Sequence, residues 1–209
     1  MGLFINSLGV ALITKANLGT SPISSIPYVL SLDFSLTLGQ FTIIFSVFLI
    51  LLQIIILRKN FRLEDLLQIP ISIFFGYFID LSMNLLHTIN PKLYTAKAAC
   101  LLIGCLILGF GVYTEVLANV AMLPGESFVR AIVSTWNTDF GKTKIAFDVT
   151  MAVSAAIMSF FFFHELNGIR EGTIIAALLV GFIARFFGKQ LAAIENFLFE
   201  REEDIIEEL

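Results

Sequence analysis

Charge is what this sequence is short of. Its 209 residues hold 13 lysines and arginines and 17 aspartates and glutamates, so charged residues make up 14% of the chain. An ordinary soluble domain carries about 25%. So few charges cannot cover a water-exposed surface, which excludes a soluble globular protein. No basic stripe or patch exists, which removes nucleic acid from the expected partners. Cysteine is scarce as well. Cys100 and Cys105 stand five apart in an apolar run, neither a CxxC motif nor a secreted disulfide framework, and are read as thiols facing lipid or core. The two histidines, His87 and His164, share no metal-ligand spacing with cysteine or carboxylate. The sequence has no HExxH, P-loop, GxSxG or Ser-His-Asp order. No cofactor, no metal and no enzymatic activity are therefore expected.

What the chain has in abundance is apolar bulk. Hydrophobic residues make up 57%, Phe alone occurs 22 times, and the mean hydropathy is +0.90. A membrane-spanning helix needs about 20 apolar residues. Six candidates are legible, at 3–17, 36–57, 69–89, 96–118, 143–163 and 172–192. The first lacks the basic leader of a signal peptide and is read as retained. Two further stretches, 21–32 and 124–136, are amphipathic, too short to span, and open on Pro22 and Pro124. Proline is accepted in the first turn of a helix, where its missing N–H has no intrahelical partner. Both therefore read as short helices that begin at a chain break.

The chain repeats itself. Displaced by about 102 residues, Gly9 meets Gly111, Ala16-Asn17 meets Ala118-Asn119, Pro22 meets Pro124, Ser25 meets Ser127 and Gly39 meets Gly141. A further shift of three sets Gly76 against Gly181 and Asp80 against Arg185. Chance aligns leucines in so apolar a chain, but not Gly, Asn, Pro and Ser in one register. The expected organisation is a first repeat over 1–90 and a second over 91–192, each with three spans and one short helix, followed by an acidic cytoplasmic tail over 193–209. Three spans per half is an odd number, so successive halves enter the membrane in opposite senses. The expected fold is an all-α membrane protein of six transmembrane helices, built as two inverted three-helix repeats that each carry a short broken or re-entrant helix. If the short helices cross instead, the halves are parallel.

Arg58, Lys59 and Arg62 follow the second span, Arg130, Lys142 and Lys144 follow the fourth, and Lys189 and Arg201 lie toward the C-terminal end of the chain. Lys15, Lys92, Lys97 and Arg170 fall on the other side. The positive-inside rule places both termini in the cytoplasm.

Three segments carry a resemblance: Ala16-Asn17-Leu18-Gly19-Thr20-Ser21-Pro22 at the first break, Gly76-Tyr77-Phe78-Ile79-Asp80, and Arg170-Glu171-Gly172-Thr173-Ile174-Ile175-Ala176-Ala177. Together they resemble the YczE/YyaS/YitT-type family of bacterial integral membrane proteins over nearly the whole chain. The resemblance implies a multi-pass protein of the bacterial cytoplasmic membrane and no particular activity. The second break, Met122-Leu123-Pro124-Gly125-Glu126, departs from the Gly-Pro-rich turn that the resemblance implies there.

Polar residues inside apolar segments mark where chemistry can reside, because each charge at a helix centre costs about 2.5–3.5 kcal/mol. Asp80 and Arg185 occupy equivalent places and are expected to pair across the two halves, with Asp80 as a coupling-ion site if the pair opens. Glu115 and Asp148 are further ion-coupling candidates, and Asp148 is four residues from Lys144, the spacing of an ordinary helix-surface pair. Asn17, Thr20, Ser21 and Ser24 at the first break, and Asn119 and Glu126 at the second, are the candidate substrate-binding groups. Hydroxyls there could cap free N–H groups, or the helix starts could receive an anionic group. The alternative is that all of them only satisfy broken backbone, which a membrane interior requires.

The expected function is a small-solute secondary transporter or exporter with its site between the repeats. The alternative is a non-transporting membrane subunit, a substrate-capture component or assembly factor of a larger complex. The partners expected are the lipid bilayer and a small solute of unspecified identity. Gly104 and Gly109 would pack helices equally well within one chain, in a homodimer or against a partner membrane protein. A reporter that is active only in the cytoplasm should be active when fused after Leu209; activity only of an exported reporter at that point would reverse the orientation.

Overall fold

The computed structural model describes residues 1–118, 122–165 and 167–187. Asn119 and the acidic tail lie outside them. All regular structure among the described residues is helical. The order is α1 (Gly2–Lys15), α2 (Pro22–Asp33), α3 (Leu38–Leu57), α4 (Gln68–Leu85), α5 (Tyr94–Ala118), α6 (Pro124–Trp136) and α7 (Phe140–Phe163), with two short 3-10 turns between α3 and α4; α8 covers 171–187. Four segments are long and apolar enough to cross a membrane: Leu38–Asn60, Glu64–Leu85, Tyr94–Glu115 and Phe140–Phe163. α1 has 14 residues, about 21 Å at 1.5 Å per residue, short of the roughly 30 Å hydrocarbon core. α2 and α6, with 12 and 13 residues, are shorter than a span as the sequence requires.

The helix starts follow local chemistry. Thr37 and Gln40 form a capping box at α3, and Asp139 accepts from the Lys142 N–H at α7. Pro22 and Pro124 occupy the first turns of α2 and α6. α1 stops at Asn17, which adopts a left-handed backbone at φ 54, a conformation Asn tolerates better than most residues.

The α1–α5 contact organises the core. A Cβ on Gly9 would lie 2.6 Å from the Leu108 backbone nitrogen, and one on Gly111 would collide with Asn6. Gly2 lies against Thr114 and Glu115, and Gly104 against Ile13. Rising numbers on α1 meet falling numbers on α5, so the two helices run antiparallel. Each contact is also its partner displaced by the repeat: Gly9 on Leu108 becomes Gly111 on Asn6, and Gly2 on Glu115 becomes Gly104 on Ile13. Such reciprocity is what a two-fold axis imposes on a self-complementary interface. The cross-packing follows the same rule, with α2 against α7 and α6 against α3.

Two apolar clusters result. Val10, Ile13, Leu18, Phe75, Ile79, Leu101, Leu108 and Ile183 join α1, α4, α5 and α8. Leu49, Val129 and Phe147, with Ile23 and Phe45 against them, join α2, α3, α6 and α7. Outside them runs an exposed apolar belt. Ile145, Val149, Val153, Ile157 and Phe161 form one stripe along α7, and Leu178, Phe182 and Phe186 another on α8. Spacings of four residues keep each stripe on one helix face, and exposed apolar area of this extent is a lipid-facing surface rather than a water-facing one.

Gly9→Ala and Gly111→Ala should each destabilise the protein by about 1–3 kcal/mol through overpacking of the crossing. Gly181→Ala, with nothing within 4 Å of the added carbon, should be neutral. Thermal unfolding in detergent checks this; equal shifts for all three would remove the crossing from its central place.

Candidate functional site

The first break is held by backbone and one hydroxyl. Gly19 sits at φ 124, and a Cβ there would lie 2.9 Å from the Thr173 nitrogen, so glycine is required both for conformation and for space. The Gly172 N–H donates to the Leu18 carbonyl at 2.8 Å, and the Thr20 N–H to Thr173 Oγ1 at 3.2 Å. The chain between α1 and α2 is thus stitched to the start of α8. The second break is held by side chains. Gln53 Nε2 donates to the Pro124 carbonyl at 3.1 Å and to Gln68 Oε1 at 3.2 Å. The Glu115 carboxylate accepts from the Leu123 N–H through Oε1 and from Asn6 Nδ2 at 2.8 Å through Oε2. A break in a helix leaves N–H and C=O groups without intrahelical partners, and at both breaks these groups find partners within the protein.

Between the breaks lies a cavity of about 950 Å³. The starts of both short helices border it, through Ser21 to Ser24 and Met122 to Glu126. Its first-half wall offers hydroxyls, Ser24, Thr42 and Ser46. The repeat equivalents on the second-half wall are Glu126, Lys144 and Asp148. One wall is therefore neutral and the other charged, on matching scaffolds. Lys144 Nζ binds Asp148 Oδ1 at 2.8 Å and lies 5.6 Å from the Phe147 ring centre, which confirms the i,i+4 pair. Burial pushes the Glu126 carboxyl above its ordinary range, Lys144 and Arg130 draw it back, and Asp148 adds to the rise. Phe45, Leu49, Phe75 and Val112 supply apolar lining.

Of the candidate substrate-binding residues, Ser21, Ser24 and Glu126 line this cavity. Asn17 does not; it lines a second cavity of about 640 Å³ with Lys15, Asp80 and His87. Thr20 is fully buried and hydrogen-bonds Thr14 at 2.9 Å. The serine hydroxyls do not cap α2. Ser21 Oγ donates to Ser24 Oγ at 2.9 Å instead.

The expected Asp80–Arg185 ion pair does not form. Asp80 accepts from Thr37 Oγ1 at 2.6 Å and from the Gly39 N–H at 2.9 Å, clamping α4 to the start of α3. Arg185 is exposed and lines the larger cavity, near the start of α7. A Cβ on Gly141 would lie 3.3 Å from Asp139 Oδ1 and 3.6 Å from Arg185 Nη2. The two residues are equivalent in surroundings, each facing the first turn of the long helix that precedes its own, but they stand in different cavities. Equivalent residues meet only on the symmetry axis, and these are off it.

Sequence reading missed Asn6, Gln53 and Gln68, all nearly inaccessible. The clue was present: an amide inside an apolar helix needs a partner as surely as a charge does. Asp80→Ala should destabilise by about 1–3 kcal/mol, the cost of stranding two donors, and Arg185→Ala by much less. Their double-mutant coupling should be near zero, where a buried ion pair would cost about 3–5 kcal/mol for either single change.

No solved structure matches this chain. Two relatives from Bacillus subtilis (strain 168) do. An uncharacterized protein, YyaS, is 28% identical over 188 residues, covering 90% of this chain and 89% of the relative. An uncharacterized membrane protein, YczE, is 28% identical over 203 residues, covering 96% and 88%. That likeness, the long apolar helices and the exposed apolar belt identify a membrane protein. The model of the family of unknown function DUF6198 matches residues 1–189, and the chain belongs to that family.

Proposed function

We propose that this protein is a small-solute secondary transporter or exporter of six membrane-embedded helices, arranged as two inverted halves with the substrate between them. The observation that carries this reading is the cavity of about 950 Å³ bordered by the starts of both short helices. That volume suits a small organic molecule. Broken helices whose ends converge on a site between repeats are the recurring plan of secondary transporters. Inversion is supported by the antiparallel α1–α5 contact. A two-fold axis that relates antiparallel helices runs perpendicular to them, hence in the membrane plane if they stand upright. The apolar body of the cavity, with one hydroxyl wall and one charged wall, favours an amphipathic solute bearing a polar or ionic head. Rocking of the halves about the α1–α5 crossing would expose the cavity to each side in turn.

The test uses a background in which Cys100→Ala and Cys105→Ala remove the native thiols. Ser24→Cys and Glu126→Cys are then introduced singly and treated with a membrane-impermeant thiol reagent from each face. Both positions are expected to react from either face. Reaction from one face only would overturn alternating access and favour the reading of a fixed capture or assembly subunit.

A further inference from the structure

Glu115 is the buried carboxylate of the α1–α5 crossing, 7% exposed. It has no cation within ion-pair distance among the described residues. Both its oxygens are held by N–H donors, one from the Leu123 backbone and one from Asn6 Nδ2. Asn6 is 1% exposed and lines the larger cavity. Its amide nitrogen serves Glu115, but its Oδ1 is buried with no partner among the described residues. A bare buried carboxylate and an orphaned carbonyl oxygen, on one hydrogen-bonded pair of side chains, are two deficits side by side.

The repeat shows that packing does not require this pair. Displaced by the repeat, Asn6 becomes Leu108 and Glu115 becomes Ile13, and both sit in the main apolar cluster. The same crossing is thus built once with aliphatic side chains and once with a carboxylate and an amide.

We propose that Glu115 and Asn6 form a proton-binding site at the substrate cavity, with Asn6 on its wall and Glu115 behind it. A hydronium ion gives up a proton to Oε2: one of its O–H bonds breaks, the carboxyl O–H forms, a neutral water is left, and the carboxyl goes from −1 to 0. Rotation of the Asn6 amide by half a turn then lets Oδ1 accept that O–H, and the NH2 group takes the place Oδ1 held. One event neutralises the buried charge and gives the orphaned oxygen its donor, and the unpartnered position beside Gly111 passes to the neutral NH2 group. The neutral acid is also a weaker acceptor for the Leu123 N–H than the carboxylate, so proton loading loosens the turn just before α6. The site deepens the transport reading, on which its coupling role rests, by naming the proton as the driving ion. A metal ion fits poorly: hard cations need a shell of oxygens, and no group of three or more His, Cys, Asp or Glu gathers among the described residues.

The charged surroundings of Glu115 come from several elements. α6 brings Glu126 and Arg130 to the cavity that Asn6 lines. α7 brings Lys144 and Asp148, and α8 brings Arg185, all on the same cavity. α1 contributes the Met1 amine at its near end and Lys15 at its far end.

Infrared difference spectroscopy on the full chain in lipid, with isotope-labelled glutamate, tests the site. A glutamic-acid C=O band should come and go as pH is cycled, apart from the exposed glutamates. It should vanish in Glu115→Gln, persist in Glu126→Gln, and shift in Asn6→Leu as the acid loses its acceptor. If Glu115→Gln does not fold, the labelled wild type and the other two variants still decide. Absence of any such band, its loss in Glu126→Gln, or a band unmoved by Asn6→Leu would overturn the proposal. Two-sided thiol access without the band would keep transport and remove the proton site; the band with one-sided access would do the reverse.

Discussion

The close crossing of α1 and α5 is the contact on which the rest is built. Without side chains at Gly9 and Gly111 the two helices approach until a Cβ would overlap the opposite backbone or Asn6. In lipid no hydrophobic force drives helices together, so close packing and internal hydrogen bonds must hold them. α1 is too short to reach across a bilayer alone. It serves as a central strut, packed against α4 and α5, and the chain leaves it into the first break. The reciprocal contacts along it make the two halves one object rather than two bundles side by side.

Each break then poses the same problem, backbone groups left without intrahelical partners, and each is solved differently. The first uses Gly19 and the start of α8. The second uses Gln53 and Glu115. Holding a break with an ionisable carboxylate rather than with backbone and a hydroxyl makes it sensitive to that side chain's state. The same divergence runs along the cavity, where Ser24, Thr42 and Ser46 oppose Glu126, Lys144 and Asp148. A common scaffold has kept its packing and separated its chemistry.

Asp80 and Arg185 show how a repeat alignment can match two residues that do not touch. The alignment matched residues with equivalent roles. Asp80 serves the first turn of α3, and Arg185 lies beside the first turn of α7, whose cap, Asp139, supplies the carboxylate itself. Equivalence of role places two residues in like surroundings. It does not place them together.

The sequence alone determined the membrane class, the helical character of the described segments and the two short helices to within a residue. These follow from hydropathy and proline position, which are local properties. It also placed Ser21, Ser24 and Glu126 at breaks, and they border the cavity. Only tertiary structure decided that Asn17 faces a different cavity, that Asp80 is a clamp, and that Asn6, Gln53 and Gln68 hold the interior. Those outcomes depend on which faces meet across more than a hundred residues of chain, as Asn6 meets Glu115, and periodicity along one helix carries no information about its partner.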